Sequence, residues 1–455
     1  MGLGVDRQGC RIEGTQILGM ERALTSPREA TDFAHAYAKN NQRRLLEFAA
    51  SLQGGDVDWQ QRFRDYFPIT AQKIYACQAY SSPLSPQVSQ AVQAFFDGVT
   101  YARADKPEWL AAAESVRGQV GRLIGGAARS VAFTKNTTEG LNIVAHGFPW
   151  RDGDNVVIDD QEHPVNVVPW LHLRTRGVEV RVAATEDRRV TVDALWQRVD
   201  ARTRMVVVSY VQYSTGFRAD IQTLAARCRN SGIRLVVDGI QAVGLLPIDV
   251  QGWGIDALAC GAYKALLGPL GVGFLYVAPD LLAELNPACL GASVANQIDR
   301  SVPDWTLRDR PPGDARHLEG GNINYPGVYG LARALIMIDE ARVGRLAPWV
   351  LGLAAQLDAG LRGQGYQLLS SNREGENSFT VCLRHPEAFA LRKYLYAQGV
   401  VCNLLDTGAL RLSMGGYNTP LEMDRVLEIT ERFASDATLR SQLMRPTAAQ
   451  SYVRA

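Results

Sequence analysis

From about residue 75 to residue 330 the chain alternates short, β-rich apolar runs with stretches of helical spacing. The runs are VAFT (131–134), NVVID (155–159), VEVRVA (178–183), RMVVVSYV (204–211), RLVVD (234–238), ALAC (257–260) and VGFLYV (272–277). Helical spacing holds over 108–124, 138–146, 192–200 and 220–231. Buried runs alternating with helices predict βαβ units, and so an α/β fold around a mostly parallel, seven-stranded sheet. In such sheets ligands bind beyond the carboxyl ends of the strands. Polar residues that directly follow a run are therefore the first candidates for function.

The flanks read differently. Residues 20–66 carry apolar side chains at helical spacing (Phe33, Tyr37, Leu45, Leu46, Phe48, then Trp59, Phe63, Tyr66), divided at Gly54-Gly55. This segment is expected on the outside of the fold or against a partner subunit. After Pro326 comes a long helical stretch, 328–362. A smaller α+β region follows, with strands near 378–384, 399–404 and 409–413 and a helix over 420–435. The tail after 436 reads as an added helix or as disorder. The expected division is an N-terminal helical segment (1–74), a large domain (75–330) and a small C-terminal domain (331–455), with 20–74 able to pack on the last.

Composition narrows the function class. At 455 residues the chain suits one large domain plus a smaller one. Lys and Arg (48) nearly cancel Asp and Glu (47), so the basic excess that nucleic-acid or membrane-surface binding requires is missing. The seven cysteines are scattered without a CxxC pair, and the six histidines show no HExxH, so neither a disulfide framework nor a metal site is expected. No apolar window of about 18 residues exists for a membrane span. The opening MGLGVDRQGCRIEG lacks the apolar core of a signal peptide. The cytoplasm is the expected compartment.

Two segments carry candidate chemistry. In RLVVDGIQAVG (234–244), Asp238 ends an apolar run, where a buried carboxylate needs a cationic or hydrogen-bonding partner. Read alone, Asp238 fits a helix N-cap as well as a ligand contact. Gln241 follows three residues later. In GIDALACGAYKALLGPLGVGFLYV (254–277), Lys264 lies among Ala, Leu, Gly and Tyr. Desolvation lowers an amine's pKa and makes it a Schiff-base nucleophile, although a lysine that snorkels to the surface also fits that segment taken alone.

Together, VVDGIQAVG, a YK pair 26 residues after the Asp, and GPLGVGFLYV resemble the class V aminotransferase family. This is the fold-type I pyridoxal-phosphate (PLP) group that includes cysteine desulfurases, kynureninase and isopenicillin N epimerase-like enzymes. The resemblance runs from about Tyr75 to about residue 435. It implies a fold-type I PLP-dependent transferase fold, PLP as cofactor and a homodimer with shared active sites. It further implies that Lys264 holds PLP and shuttles the Cα proton, with Tyr263 beside it in the cofactor site. Asp238 pairs with the pyridinium nitrogen, and Gln241 hydrogen-bonds the phenolic oxygen. His163, in DDQEHPVNVVPW, matches the ring-stacking histidine; read without the family it is a loop histidine. Thr137 and Thr138, in TKNTTEGLN, open a helix suited to the phosphate, which is compatible with an ordinary Thr cap. Tyr213, in SYVQYSTGFRADI, stands where desulfurases carry Asn and kynureninase carries Tyr; it reaches the cofactor or simply packs. Asn322, in GGNINYPG, stands where Thr is usual in the loop that reaches the partner's phosphate. Gln78, in IYACQAYSSPLSP, stands near the substrate where Asn is common. Arg411, in ALRLSMGGYNT, matches the arginine that binds the substrate carboxylate; alone, it is equally an arginine at a sheet edge.

Two departures matter. Gly261 replaces a serine that donates to the phosphate in many relatives. The connection NLLDTG (403–408) has no cysteine where desulfurases carry their nucleophile, and Cys402, in the preceding strand, reads as a core thiol. The first expectation is therefore a lyase that eliminates from Cβ of an S-substituted cysteine without a catalytic cysteine. A decarboxylating or oxidatively deaminating enzyme of natural-product biosynthesis is the second, and an aminotransferase or epimerase the third. A non-catalytic PLP-binding homologue is the rival from another class.

Overall fold

The computed structural model describes residues 59–102, 104–286, 291, 298–299, 306–307 and 313–444. The helices expected between 20 and 58 and the end of the tail lie outside the described residues. All seven expected strands form one sheet: β1 (Val131–Thr134), β2 (Asn155–Asp159), β3 (Glu179–Ala183), β4 (Thr203–Ser209), β5 (Arg234–Asp238), β6 (Ala257–Gly261) and β7 (Gly273–Val277). Their order is β1-β7-β6-β5-β4-β2-β3. β7 runs antiparallel to both its neighbours, and the pairs from β6 to β3 are all parallel. The sheet is covered on both faces: within β5, Leu235 and Val237 belong to one core and Val236 to the other.

Before the sheet come the helices α1 (Trp59–Asp65), α2 (Pro86–Tyr101) and α3 (Lys106–Leu123), and within it α4 (Thr137–Gly147) and α5 (Ile221–Asn230). α4 lies close on the sheet because Gly140 has no side chain; a Cβ there would stand 3.0 Å from that of Ala259. The expected helix 192–200 is shorter, Val192–Trp196. The helical stretch expected over 328–362 consists of two helices, α6 (Tyr325–Ala341) and α7 (Val343–Gly363). Arg342 between them adopts φ +64°, which ends one helix and redirects the next.

The C-terminal sheet is antiparallel, in the order β8 (Gln367–Leu368), β9 (Thr380–Arg384), β11 (Leu410–Ser413), β10 (Asn403–Leu404). α7, α8 (Ala388–Ala397) and α9 (Pro420–Ser435) share its core through residues such as Leu357, Leu395 and Phe433. α9 has the expected bounds, and a capping box from Thr419 and Glu422 starts it. The strand expected over 399–404 is divided. Val400–Val401 pairs in parallel with Ile74–Tyr75, and Asn403–Leu404 pairs with β11. The chain changes partner at Cys402. The segment 74–79 is thereby stitched to the C-terminal sheet.

One buried ion pair closes the edge of the large sheet. Arg117, from α3, donates to the Val131 carbonyl (2.6 Å) and to Glu319 (2.7 Å), and its guanidinium lies 4.6 Å from the Phe133 ring centre. Glu319 in turn accepts the Phe133 N–H (2.8 Å). The two side chains thus occupy backbone groups on the outer edge of β1, which would otherwise be open to pairing. Arg117→Met leaves the Glu319 carboxylate buried and unpaired. Equilibrium denaturation should show a loss of about 3–5 kcal/mol; a loss below about 1 kcal/mol would mean that the pair carries little.

Candidate active site

The carboxyl ends of the adjacent strands β5 and β6 bring a carboxylate and an amine together. Asp238 ends β5 and is buried, with one oxygen accepting the Ile240 N–H at 2.9 Å. No helix starts there, so the N-cap alternative falls. Burial pushes its carboxyl up to about 7; the Ile240 N–H and Lys264 pull the other way, and the Glu162 charge adds to the rise. Lys264 follows β6 in a tight turn. Its carbonyl accepts the Leu267 N–H (3.0 Å), and the Ala262 carbonyl accepts that of Gly268 (2.8 Å). Burial, then the nearby Arg411, lowers the Lys264 amine to about 8, against the pull of Asp238. Its Nζ lies 5.7 Å from the Tyr263 ring centre.

The far wall comes from the loop after β4 and from the C-terminal sheet. Arg411, on β11, is buried and donates through Nη1 to the Tyr213 carbonyl (2.7 Å). The Tyr213 ring meets His163 edge-on at 4.7 Å. The His163 Nδ1 accepts the Val165 N–H (3.2 Å). Burial, then Lys264 and Arg411, lower the His163 pKa and favour the neutral ring. Gly216, at φ +74°, lets this loop press on β9; a Cβ there would stand 2.6 Å from the Thr380 carbonyl oxygen.

Several of these groups fit a bound cofactor. Gln241 donates to the Ala79 carbonyl (3.0 Å), and its Oε1 is buried without a hydrogen-bond partner among the described residues. Arg411 Nε is buried and unpartnered in the same way. Thr137 begins α4, where first-turn N–H groups lack intrahelical acceptors and suit a phosphate. The cap itself is Asn136, whose side chain accepts the Glu139 N–H; Thr137 and Thr138 stand inside the first turn. Gly261 N–H donates to Thr137 Oγ1 (2.9 Å), which leaves the threonine hydroxyl proton to donate outward.

The class-V aminotransferase model matches residues 74–426. The chain belongs to the class-V aminotransferase family. A probable cysteine desulfurase of Methanothermobacter thermautotrophicus is 31% identical over 346 residues, 70% of this chain and 83% of that relative. The solved structure of the cysteine desulfurase CsdA from Escherichia coli shares the fold with a TM-score of 0.72 at 24% identity, over 82% of this chain and 98% of that one. A lysine-to-alanine mutant of C-DES, with glycine covalently linked to its PLP cofactor, gives 0.74 at 22% identity, over 82% and 98%; C-DES is a cystine C–S lyase. The family's cofactor is PLP, and this chain is a PLP-dependent enzyme acting on amino acids.

The fold brings Lys264, Tyr263, Asp238, Gln241, His163, Tyr213, Arg411 and Thr137 to one place, with Thr138 half-buried beside them. Asn322 is exposed and no hydrogen bond ties it to them among the described residues. Gln78 is buried and engaged at both ends, donating to the Lys264 carbonyl (2.8 Å) and accepting the Tyr417 hydroxyl (2.6 Å). It therefore braces the lysine loop. Residue-by-residue reading missed Ser413, which accepts the Ala79 N–H (2.8 Å), and the Asp159, Glu162, Ser209 and Gln212 cluster. The signal for the latter was the acidic run DDQE (159–162), which begins on the last residue of β2. Among the described residues no group of three His, Cys, Asp or Glu is placed to hold a metal ion, and no helix is long and apolar enough to cross a membrane.

The Lys264–Asp238 pairing has a signed consequence. The Asp238 carboxylate raises the Lys264 pKa against the burial that lowers it. Asp238→Asn should move the pH midpoint of Lys264 acetylation in the apoprotein below about 8. Mass spectrometry after graded-pH treatment reads it; an unmoved or raised midpoint would show that the two groups do not interact.

Proposed function

We propose that this enzyme eliminates a sulfur leaving group from Cβ of an S-substituted cysteine, without a catalytic cysteine. The carrying observation is the turn beside Arg411: residues 405–408 are Leu, Asp, Thr and Gly. The thiols around that strand are buried, which pushes Cys77 up to about 11 and Cys382 and Cys402 up to about 12. Such thiols stay protonated near neutrality and make poor nucleophiles. C–S cleavage is carried by the same fold in C-DES.

Bound PLP supplies the electron sink that weakens the bonds at Cα. The protein residues do the rest. Arg411 presents its unpartnered Nε edge to the substrate carboxylate as a fork. Lys264 would hold the cofactor and carry the Cα proton; burial lowers its amine to about 8, which gives it a useful basic fraction at physiological pH. With PLP in place, Asp238 would keep the pyridine nitrogen protonated, Gln241 would hydrogen-bond the phenolic oxygen through its unpartnered Oε1, and neutral His163 would lie against the ring. The C–S bond breaks with its electron pair on sulfur. Water then completes the balance to pyruvate, ammonia and a free thiol. The reading includes a cytoplasmic homodimer in which Asn322 reaches the partner's phosphate.

A panel of amino acids and S-substituted cysteines, analysed by mass spectrometry, separates pyruvate from the keto acid, aldehyde or epimer that the transaminating, decarboxylating or epimerising alternatives yield. Pyruvate and thiol are expected, with Cys402→Ala within a few-fold of wild type and borohydride fixing the cofactor on Lys264. A thousandfold loss in folded Cys402→Ala would restore a desulfurase.

Arg411→Lys keeps the charge and loses the fork. It should weaken substrate binding about ten- to a hundredfold, from roughly 1.5–3 kcal/mol for a charge-assisted contact, with PLP retained. Spectral titration with amino acid reads this; equal affinity, or loss of PLP, would place Arg411 in another role.

A further inference from the structure

Behind Asp238 the end of β2 and the loop after it hold two more buried acids, Asp159 and Glu162, in contact with each other and bridged by Gln212 Nε2. Glu162 is saturated with donors. Its Oε1 accepts the Ser209 N–H (2.5 Å) and Gln212 Nε2 (3.1 Å), and its Oε2 accepts the Ser209 hydroxyl (2.6 Å). Asp159 accepts the Gln161 N–H (2.8 Å) and Gln212 Nε2 (3.2 Å). Glu162 and Asp160, both acidic, raise Asp159, and the Gln161 N–H pulls the other way. Two buried carboxyls in contact resist ionising together. One proton shared between them relieves the repulsion, and such a titration belongs to the pair. The donor-saturated partner is the acceptor, so the proton sits on Asp159 and points to Glu162. Burial and the Glu162 charge both raise Asp159, in agreement with that placement.

Ser209, which gives Glu162 both its hydroxyl and its N–H, is the register partner of Asp238 in the neighbouring strand. The charge on Glu162 is therefore one strand away from the cofactor-side carboxylate. We infer that Asp159 and Glu162 form a one-proton pair that fixes a negative charge behind Asp238, and so sets how firmly Asp238 holds the proton on the pyridine nitrogen. The groups facing Asp238 are Glu162, Lys264, Cys260 and Tyr263, and Glu162 also faces Tyr213. Of these, Glu162 opposes ionisation of Asp238 and Lys264 favours it. Asp159 and Glu162 are positioning residues: neither reaches the reacting atoms. The inference rests on the proposed pairing of Asp238 with the cofactor.

The test uses holoenzyme carrying nitrogen-15 PLP, with the ring-nitrogen shift followed by NMR against pH, and difference infrared spectra of the full-chain apoprotein for protonated carboxyls. Glu162→Gln removes the charge and should lower the pH at which the ring nitrogen loses its proton by about one unit, a tenfold change in proton affinity. Asp159→Asn keeps a donor toward Glu162 without a titratable proton. It should leave the ring nitrogen close to wild type and abolish one protonated-carboxyl band. An unmoved ring nitrogen in Glu162→Gln, or a retained band in Asp159→Asn, would overturn the inference. Should Glu162→Gln not fold, Asp159→Asn combined with Glu162→Gln replaces the pair by two amides and removes the same charge. Asp238→Asn is the control. If it too leaves the ring nitrogen unmoved, the pairing of Asp238 with the cofactor fails, and the infrared band alone decides the one-proton pair.

Discussion

A carboxylate and an amine share the end of a sheet that is covered on both faces, and the rest of the molecule is arranged around that cost. Burial drives Asp238 up and Lys264 down, and each opposes the shift of the other. Neither is tolerable alone in such surroundings. The remedy is geometric: β5 and β6 are adjacent and parallel, so Asp238, at the end of one, and Lys264, just past the end of the other, come together. The turn after β6 is tied by two backbone hydrogen bonds and braced by Gln78, so that the amine keeps its place.

Arg411 brings a second constraint, because it belongs to the other sheet. The hydrogen bond of its side chain among the described residues goes to the backbone of Tyr213, in the loop after β4. That loop is fixed in turn by the Ser370 hydroxyl, which donates to the Thr215 carbonyl (2.7 Å). The two halves of the cleft are therefore held by bonds between main chain and side chain, which are short and directional. A neutral His163 suits this setting, since a third cation beside Lys264 and Arg411 would be repelled.

How much of this was legible in the sequence depended on range. The seven strands were readable because each is a local apolar run, and α9 because Thr419, Pro420 and Glu422 spell its start. The residues at strand ends were readable once order and spacing suggested the family. Arg342 was not, since its left-handed turn uses neither Gly nor Pro. Nor were the pairing of Val400–Val401 with Ile74–Tyr75, which divides the strand expected over 399–404, and the bracing role of Gln78, since both depend on partners far away in the chain. Glu162 stood in plain view beside His163. Its meaning needed Ser209 and Gln212, which the chain delivers from another strand.

The pairing of Ile74–Tyr75 with Val400–Val401 has a kinetic side. It closes a loop that takes in the whole large sheet, and such closure is entropically late. Part of the anchorage of the peptide that carries Ala79 to Gln241 and Gln78 to the lysine turn waits for the last strands. During synthesis the main sheet can assemble while the ribosome still holds the C-terminal residues, yet the cleft stays unfinished. Chains that stop short of residue 400 would keep a buried core and have no floor to their active site.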